Sequence, residues 1–600
     1  MNPIPFKQKI QQIGVASKCL AAGITLGIML ASPAPALAGS NPSKINERAI
    51  QASEKHPNQM IDLIVTYRQN PGKADRDFIQ QQGGTIRHEF HLIKGHAITV
   101  PAQALKDLEK NPNIEHVSLD EPVSGAATTI ADGQVILTES STPITGSYPS
   151  SVLAGTAGLG NVSYTGAGVR VAVLDTGIKT HGDLSPAGTY SLLGPTSDDG
   201  FGHGNHVGGI IGGTGSKSGG LYRGVAPDAE VYYVKVLDDT GQGLSSDVIA
   251  GLDYALWLNQ NFWHIRVINM SLGHPVYESA ANDPLVQAVN AIWDSGVVVV
   301  CSAGNAGRNG YGTITSPGNS PKVITVGSLT TWGDSEPGND IVSTFSSRGP
   351  TRIDRYVKPD LIAHGNRVIS ANAARSYMEK NYPERLIKAP KAKKAEYYQL
   401  SGTSMAAAVV TGAVALMLEK DPTLTPATIK ARLMRSASKV DFSDIFATGA
   451  GVLNIEGALA DNGSVSQALS PKVKRDDTTG RMAFQETSKL WGNQQFALGY
   501  LWSDGILWSK GSVDSEGYLW SDGYLWSDGY LWSDGYLWSD GYLWSDGYLW
   551  SDGYLWSDGY LWSDGYLWSD GYLWSDGYLW SDASTSSDSA TVADSLMIAD

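Results

Sequence analysis

The stretch Val169-Arg170-Val171-Ala172-Val173-Leu174-Asp175-Thr176-Gly177 decides how the rest of the chain is read. A mostly aliphatic run of strand length, without polar alternation, fits a strand buried on both faces, as in a parallel sheet. Similar runs recur at 231–236, 267–270, 297–302 and 323–327, separated by helical patterns at 203–211, 245–258 and 283–295 and one more after Ser404. Such alternation predicts an α/β fold, a doubly wound and mostly parallel sheet with helices on both faces. Functional residues of these sheets gather beyond the carboxyl ends of strands. Asp175 and Asn305 both fall just past predicted strand ends.

Two further segments, Gly202-His203-Gly204-Asn205-His206-Val207 and Gly402-Thr403-Ser404-Met405-Ala406, supply an imidazole and a hydroxyl. A serine is a poor nucleophile until an imidazole takes its proton, and the imidazole needs a carboxylate to fix its tautomer. Asp175, His203 and Ser404 can fill those roles. Ser404 opens a small-residue apolar run suited to a buried helix, whose N-terminal N–H groups and dipole favour negative charge. Read singly, Ser404 is a helix cap and Asn305 a turn residue. His206 forms an H-x-x-H pair with His203, but no third ligand stands at a diagnostic spacing, so the metal ligands stay unassigned. Asp198 and Asp199 read as cleft-lining or solvent-facing. Cys301, inside an apolar run, reads as a buried small hydrophobe without a catalytic role.

With the order Asp, His, Ser along the chain, these segments resemble those of the subtilases, the subtilisin-like serine proteases of peptidase family S8. The resemblance extends through Gly224-Val225-Ala226-Pro227, Ser271-Leu272-Gly273, Ala303-Gly304-Asn305, Phe345-Ser346-Ser347-Arg348-Gly349-Pro350 and Lys358-Pro359-Asp360-Leu361-Ile362-Ala363, about half of the 600 residues. It implies a serine-type endopeptidase acting through an acyl-enzyme, with Asp175, His203 and Ser404 as triad. Asn305 is then the side-chain donor to the oxyanion, beside the backbone N–H of Ser404. It further implies that Ser271-Leu272-Gly273 and Ser302-Ala303-Gly304 border the cleft and accept the peptide as an added strand, with one pocket selecting a side chain. Family members often accept large apolar residues before the cut. No cofactor is implied for catalysis; structural calcium has no assignable ligands.

The pattern departs from the family at Asn205, Gly208, His274 and Ala408, where Thr, Ala, Gly and Pro are usual. His274 adjoins the predicted substrate strand, so pocket preferences transfer poorly to that side. Ala408 relieves proline's constraint behind the nucleophile, which suggests transpeptidation to amines as a side activity.

The remainder divides by composition. Residues 1–38 have the basic start, short apolar stretch and Ala36-Leu37-Ala38 end of a secretory signal peptide, too short to span a membrane. Its removal would take Cys19 and leave Cys301 alone, so no internal disulfide is available. Residues 39–124 predict a small α+β unit of β-α-β-β-α-β, ferredoxin-like type. By resemblance it is an inhibitor-like propeptide, processed within a 125–150 linker, at a point between Glu121 and Ser141. The peptidase domain occupies 151–460, and 461–498 read as an irregular linker. From 499 to 582 runs a tail of Gly-Tyr-Leu-Trp-Ser-Asp hexapeptides, unbroken from Gly517 to Asp582. Residues 583–600 are rich in Ser and Asp and predicted disordered.

The period of six places Tyr, Trp and Asp on one side of an extended chain and Gly, Leu and Ser on the other. Asp-Gly at every boundary supports tight turns between four-residue strands, as a meander or a stacked solenoid, and disfavours helix. The whole net charge of −16 lies from residue 499 onward, where sixteen Asp and one Glu face one Lys. The rest is formally neutral, which argues against a nucleic-acid partner. The aromatic and acidic tail is a candidate for binding glycans, a cell envelope or calcium, or is a spacer. An unfolded tail would offer Tyr, Leu and Trp to the enzyme in every repeat, so it is either ordered or trimmed. Two readings follow: a secreted, self-processed protease acting on proteins, peptides and its own propeptide, or a surface-binding repeat protein whose protease domain mainly processes itself.

Overall fold

The computed structural model describes residues 44–125, 128–131, 134–137, 159–160, 162–332, 340–438, 444–475, 482–485, 490–491 and the tail strands between 500 and 587. The expected signal peptide lies outside them.

The first region is α1 (Glu47–Lys55), β1 (Met60–Tyr67), α2 (Lys73–Gln81), β2 (Thr85–Glu89), β3 (Gly95–Pro101), a 3₁₀ helix (Ala102–Lys110) and β4 (Ile114–Leu119). The strands form a four-stranded sheet in the order β2-β3-β1-β4, as the β-α-β-β-α-β pattern predicts. The second helical segment is 3₁₀ along its length, and α1 precedes the predicted pattern. Leu63, Val65, Ile79, Ile98, Leu105 and Val117 fill its core. The chain continues as β5 (Pro122–Gly125) and a hairpin of β6 (Thr128–Ala131) and β7 (Gln134–Leu137).

The second region is built on β8 (Arg170–Asp175), β9 (Gly188–Ser191), β10 (Glu230–Lys235), β12 (Val267–Met270), β14 (Val298–Ser302), β16 (Ile324–Thr330), β17 (Ile341–Val342) and β18 (Leu361–His364). They form an eight-stranded sheet ordered β17-β16-β14-β12-β8-β10-β9, with β18 beside β16. Every pair is parallel except β16 with β17. Helices α3 (His203–Gly212), α4 (Ser245–Leu258), α5 (Pro284–Asp294) and α6 (Thr403–Lys420) account for the predicted helical segments. Helix α6 is apolar and long enough to cross a membrane, but it is buried through the core and packs on β12, β14, β16 and α3. Short strands β11 (Gln242–Leu244), β13 (Leu272–Pro275) and β15 (Thr315–Ser316) stand apart from the large sheet and form a second sheet with β5.

The 461–498 segment differs from the irregular linker expected. Strands β19 (Lys472–Arg475) and β20 (Met482–Gln485) pair within it, and Trp491 is fully buried. Val357 N donates to Pro471 O at 2.8 Å, and the Ser470 hydroxyl donates to Asp360 at 2.6 Å. Asp360 is itself clamped between buried Lys358 (2.7 Å) and Lys430 (3.1 Å). The apolar residues Val465, Ala468, Val473, Leu490 and Trp491 are buried here, which a reading of average polarity overlooks.

In the tail, the Tyr-Leu-Trp-Ser segments are strands from Tyr518–Ser521 to Tyr578–Ser581, preceded by Tyr500–Ser503, Ile506–Ser509 and Val513–Ser515. They pair in parallel with the strand three along: Tyr500 with Tyr518, Tyr518 with Tyr536, so one coil is eighteen residues (518 − 500). Three sheets result, one of them continuing β19 and β20. This is the solenoid alternative, not the meander. Ser584–Ser587, expected to be disordered, pairs with Tyr566–Ser569 as a further strand. Main-chain bonding to the previous coil does not require the repeat's side chains.

Candidate active site

Asp175 ends β8 and His203 opens α3, and their close approach depends on two glycines. A Cβ on Gly204 would come within 2.2 Å of the Gly177 carbonyl, so any other residue there would push α3 away from the Asp175 loop. His203 Nδ1 lies 2.7 and 2.9 Å from the two Asp175 oxygens, and both residues are fully buried. Bonding at Nδ1 leaves Nε2 as the ring's other position, and Nε2 is buried without a partner.

Ser404 is the second residue of α6. Its Oγ donates to Ser271 O at 3.3 Å, while Ser271 Oγ donates to Ser404 O at 3.0 Å. The nucleophile candidate is thus turned to Ser271, not to His203. Asn305 lies beyond β14; its Oδ1 accepts from Thr403 N (3.0 Å) and Thr403 Oγ1 (3.1 Å). That fixes the amide's orientation, and Nδ2 is left without a partner at the start of α6. The structure thus pairs Asp175 with His203, and sets Asn305 against Thr403 beside Ser404.

Asp199 does not face water. It is fully buried, accepting from Thr176 Oγ1 (2.8 Å), Gly202 N (2.6 Å) and Asn205 N (2.8 Å), and so holds the first turn of α3. The sequence offered no more than a carboxylate four residues before His203; its fixing role depends on donors from three separate positions. Burial works against the charged form of His203, but the charge and hydrogen bond of Asp175 and the charge of Asp199 outweigh it, so its pKa is raised. Asn205, at a usual Thr position, bridges Lys179 N (2.6 Å), Lys179 O (3.0 Å) and Asn372 O (3.3 Å).

His206 is occupied elsewhere: Nε2 lies 3.1 and 3.0 Å from the carbonyls of Val368 and Tyr398. Burial, then the charge of His203, push its pKa down to about 3, so it stays neutral. Among the described residues no three His, Cys, Asp or Glu side chains cluster to hold an ion. Cys301 is buried, and burial pushes its thiol up to about 12.

Strand β5 runs between β11 and β13, antiparallel to both. Val123 faces Gly243, Ser124 faces Gln242 and Gly273, and Gly125 faces Leu272. Of the expected substrate strands, Ser271-Leu272-Gly273 holds this segment. Residues 302–304 do not pair with it: Ala303 N donates to Val326 O and Ala303 O accepts from Thr315 N, Gly304 N donates to Thr403 Oγ1, and β11 takes the other edge. β11 escaped the sequence reading because its three residues have no strand periodicity. An ideal Cβ on Gly125 would lie 3.5 Å from His203 Nδ1, so β5 passes directly over the imidazole. His274 is part of β13 and is buried.

The first region docks on α4. Asp120 accepts from Ser246 N (3.0 Å), Ser246 Oγ (2.6 Å) and Arg87, and Asp253 accepts from the backbone of His91 and Leu92 at 2.9 and 2.6 Å. His116 meets Glu278 at 2.6 Å.

A mostly parallel sheet with Asp175 and Asn305 at strand ends and His203 and Ser404 at helix starts carries the residue types of an acyl-transfer hydrolase. The family model Peptidase_S8, the Subtilase family, matches residues 166–459. Serine protease AprX of Bacillus subtilis (strain 168) is 38% identical over 303 residues, which are 49% of this chain and 67% of that protein. Subtilisin E of the same organism is 30% identical over 421 residues, 69% of this chain and 94% of that protein. Fervidolysin from Fervidobacterium pennivorans, a keratinolytic enzyme related to subtilisin, shares the fold at a TM-score of 0.51 and 23% identity, over 70% of this chain and 63% of that one. The chain belongs to the subtilase family and is a serine endopeptidase.

Proposed function

We propose that the chain is a secreted endopeptidase made as a self-processed zymogen, with Asp175, His203, Ser404 and Asn305 as its catalytic residues. The observation that carries this reading is the His203 ring, bound to Asp175 through Nδ1 and vacant at Nε2, directly beneath a peptide strand held at the cleft. Ser404 Oγ, rotated from Ser271 O, gives its proton to Nε2 and attacks the peptide carbonyl. Asp175 stabilises the imidazolium. Asn305 Nδ2 and the Ser404 N–H receive the oxyanion. Collapse passes the proton from Nε2 to the leaving amine. Water, deprotonated by the same imidazole, then hydrolyses the acyl-enzyme. Casein hydrolysis that is abolished by a serine-directed fluorophosphonate and by Ser404→Ala is the expected result; hydrolysis surviving Ser404→Ala would refute the assignment.

The first region acts as the inhibitor. β5 fills the position of a substrate strand, and the Asp120 and Asp253 contacts hold its domain against α4. Ser404→Ala should accumulate as full-length precursor, whereas wild-type protein is cut between Glu121 and Ser141. Processing of the variant at the wild-type rate would remove self-cleavage. The tail is a binding element for glycans or a cell envelope. Its support is the register, which stacks like positions along each sheet at about 4.8 Å per coil. Retention of full-length but not tail-deleted protein on insoluble glycan tests it.

A further inference from the structure

Asn269 places a primary amide in the middle of the large sheet. It lies on β12, level with Val173 of β8 and Val300 of β14, and is fully buried among Val267, Ile268 and Met270 of its own strand. An amide withdrawn from water is strongly unfavourable unless it is hydrogen-bonded. Helix α6 meets it with a second buried polar residue, Thr411, set between Val410 and Gly412. Thr411 Oγ1 donates to Asn269 Oδ1 at 2.9 Å. A helical threonine often bonds a carbonyl one turn back in its own helix; this one reaches across to the sheet.

From Asn269 the bonds continue to the nucleophile candidate. Asn269 Nδ2 donates to Ser271 Oγ at 3.0 Å, and Ser271 Oγ donates to Ser404 O at 3.0 Å. The geometry of the two elements allows it, because residues 269 and 271 share one face of an extended chain and residues 404 and 411 one face of a helix. The far end sets the direction. A carbonyl only accepts, so the single proton of Ser271 is committed to Ser404 O, and Ser271 Oγ receives from Asn269. The amide oxygen is then left to Thr411. Ser404 Oγ donates to Ser271 O at 3.3 Å, so Ser404 is tied to Ser271 through both its hydroxyl and its carbonyl. When the hydroxyl turns to His203, the carbonyl bond is the one that still holds Ser404 to Ser271.

We propose that Asn269 is a positioning residue for Ser404, acting through the Ser271 hydroxyl, and that Thr411 fixes the direction of its amide. This rests on the endopeptidase reading with Ser404 as nucleophile. The strand in the cleft is held by the main chain of β11 and β13, which side-chain changes in this series leave in place. Breaking the series therefore lowers kcat and spares KM.

The test uses processed enzyme and one peptide, with active sites counted by fluorophosphonate titration. Ser271→Ala removes the proton that holds Ser404 O, and kcat should fall by about tenfold with KM within about twofold. Asn269→Asp keeps the shape but cannot donate to Ser271, and should lose at least as much. Thr411→Val should lower kcat by about threefold, and Thr411→Ser should recover most of that. In the Ser271→Ala background, Thr411→Val should cause no further loss, because the link is already broken; a packing effect would multiply instead. Unchanged kcat in Ser271→Ala, multiplying losses, or an effect confined to KM would overturn the positioning role and leave the endopeptidase reading intact. No hydrolysis by the wild-type enzyme would overturn both. Should Asn269→Asp fail to fold, Ser271→Ala, Thr411→Val and their double variant, which bury no charge, decide the matter alone.

Discussion

The peptidase sheet and the C-terminal coil are both parallel β-structures, yet they hold their strands in different ways. In the sheet no two strands are alike, and crossover helices set an order that differs from chain order. Each strand end therefore delivers its own side chain: Asp175 as the last residue of β8, Ser271 after β12, Asn305 beyond β14. In the coil, one four-residue strand recurs and pairs with its own copy eighteen residues on. The first arrangement makes a single point where unlike groups converge, while the second makes a line of identical ones. Point substitutions should be felt in the sheet, and the coil should tolerate removal of a whole unit.

The largest effect is expected at that convergence. Ser404→Ala should reduce kcat by about 10⁶, a magnitude known from a subtilisin itself, with the fold and Tm retained. Asn305→Ala should lower kcat by about 10²–10³, again a subtilisin figure, while KM changes little. A comparable loss confined to KM would place Asn305 in substrate binding. Both are read from steady-state kinetics on one peptide.

Asp199→Asn probes how the sheet positions His203. The amide cannot accept at both ends, so one of the Gly202 and Asn205 N–H groups loses its acceptor. We expect a loss of about 1–3 kcal/mol in stability. A merely structural residue would stop there. The proposed mechanism requires neutral His203, whose pKa the Asp199 charge helps to raise. Removing that charge should move the acidic limb of the kcat/KM profile to lower pH, and an unmoved limb would leave Asp199 a helix cap only.

Acid should weaken the peptidase domain through buried neutral imidazoles. Burial and the charge of His203 push His206 down to about 3, and burial pushes His364 down to about 4. The unfolded chain binds those protons near pH 6.5 and the folded chain does not. Stability is therefore lost as pH falls from about 6.5 toward 4. His203, raised, acts in the opposite sense, one group against two. The Tm of Ser404→Ala protein, which cannot digest itself, should drop by several degrees between pH 7 and 5. A level profile would contradict neutral burial of His206 and His364.

The same contrast governs what the sequence disclosed. The strands and helices carrying Asp175, His203, Asn305 and Ser404 were legible, because buried parallel strands are written as unbroken apolar runs and the residues at their ends as isolated motifs. The partners that orient them were not. Asp199 finds its donors on Thr176, Gly202 and Asn205, and Asn305 is oriented by Thr403, 98 residues away. Such contacts exist only after folding. Strand β11, three residues with a central glycine, has no pattern to read. In the tail, the hexapeptide announced turns and strands, but one period of six is compatible with pairing to the next strand or the third. The choice of the third is a property of the coil's geometry.

That choice yields the mildest expected effect and the sharpest separation of the two regions. Excising residues 536–553, three repeats, removes one full coil, and each remaining strand meets the same neighbour sequence in the same sheet. The coil should shorten by about 4.8 Å, with hydrolysis of a small peptide unaltered and Tm within about a degree. Excising 536–538 instead is a sterner change. It offsets the following repeats by half a period, sets Tyr opposite Ser across the break and interrupts all three sheets at one level. If the coil is held by eighteen-residue pairing, proteolysis should cut the three-residue variant near the junction and leave the eighteen-residue variant as resistant as the parent. Equal resistance would mean that the repeats re-pair freely and that register does not hold the coil together, whereas a shift of β8 by three residues would carry Asp175 away from His203 altogether.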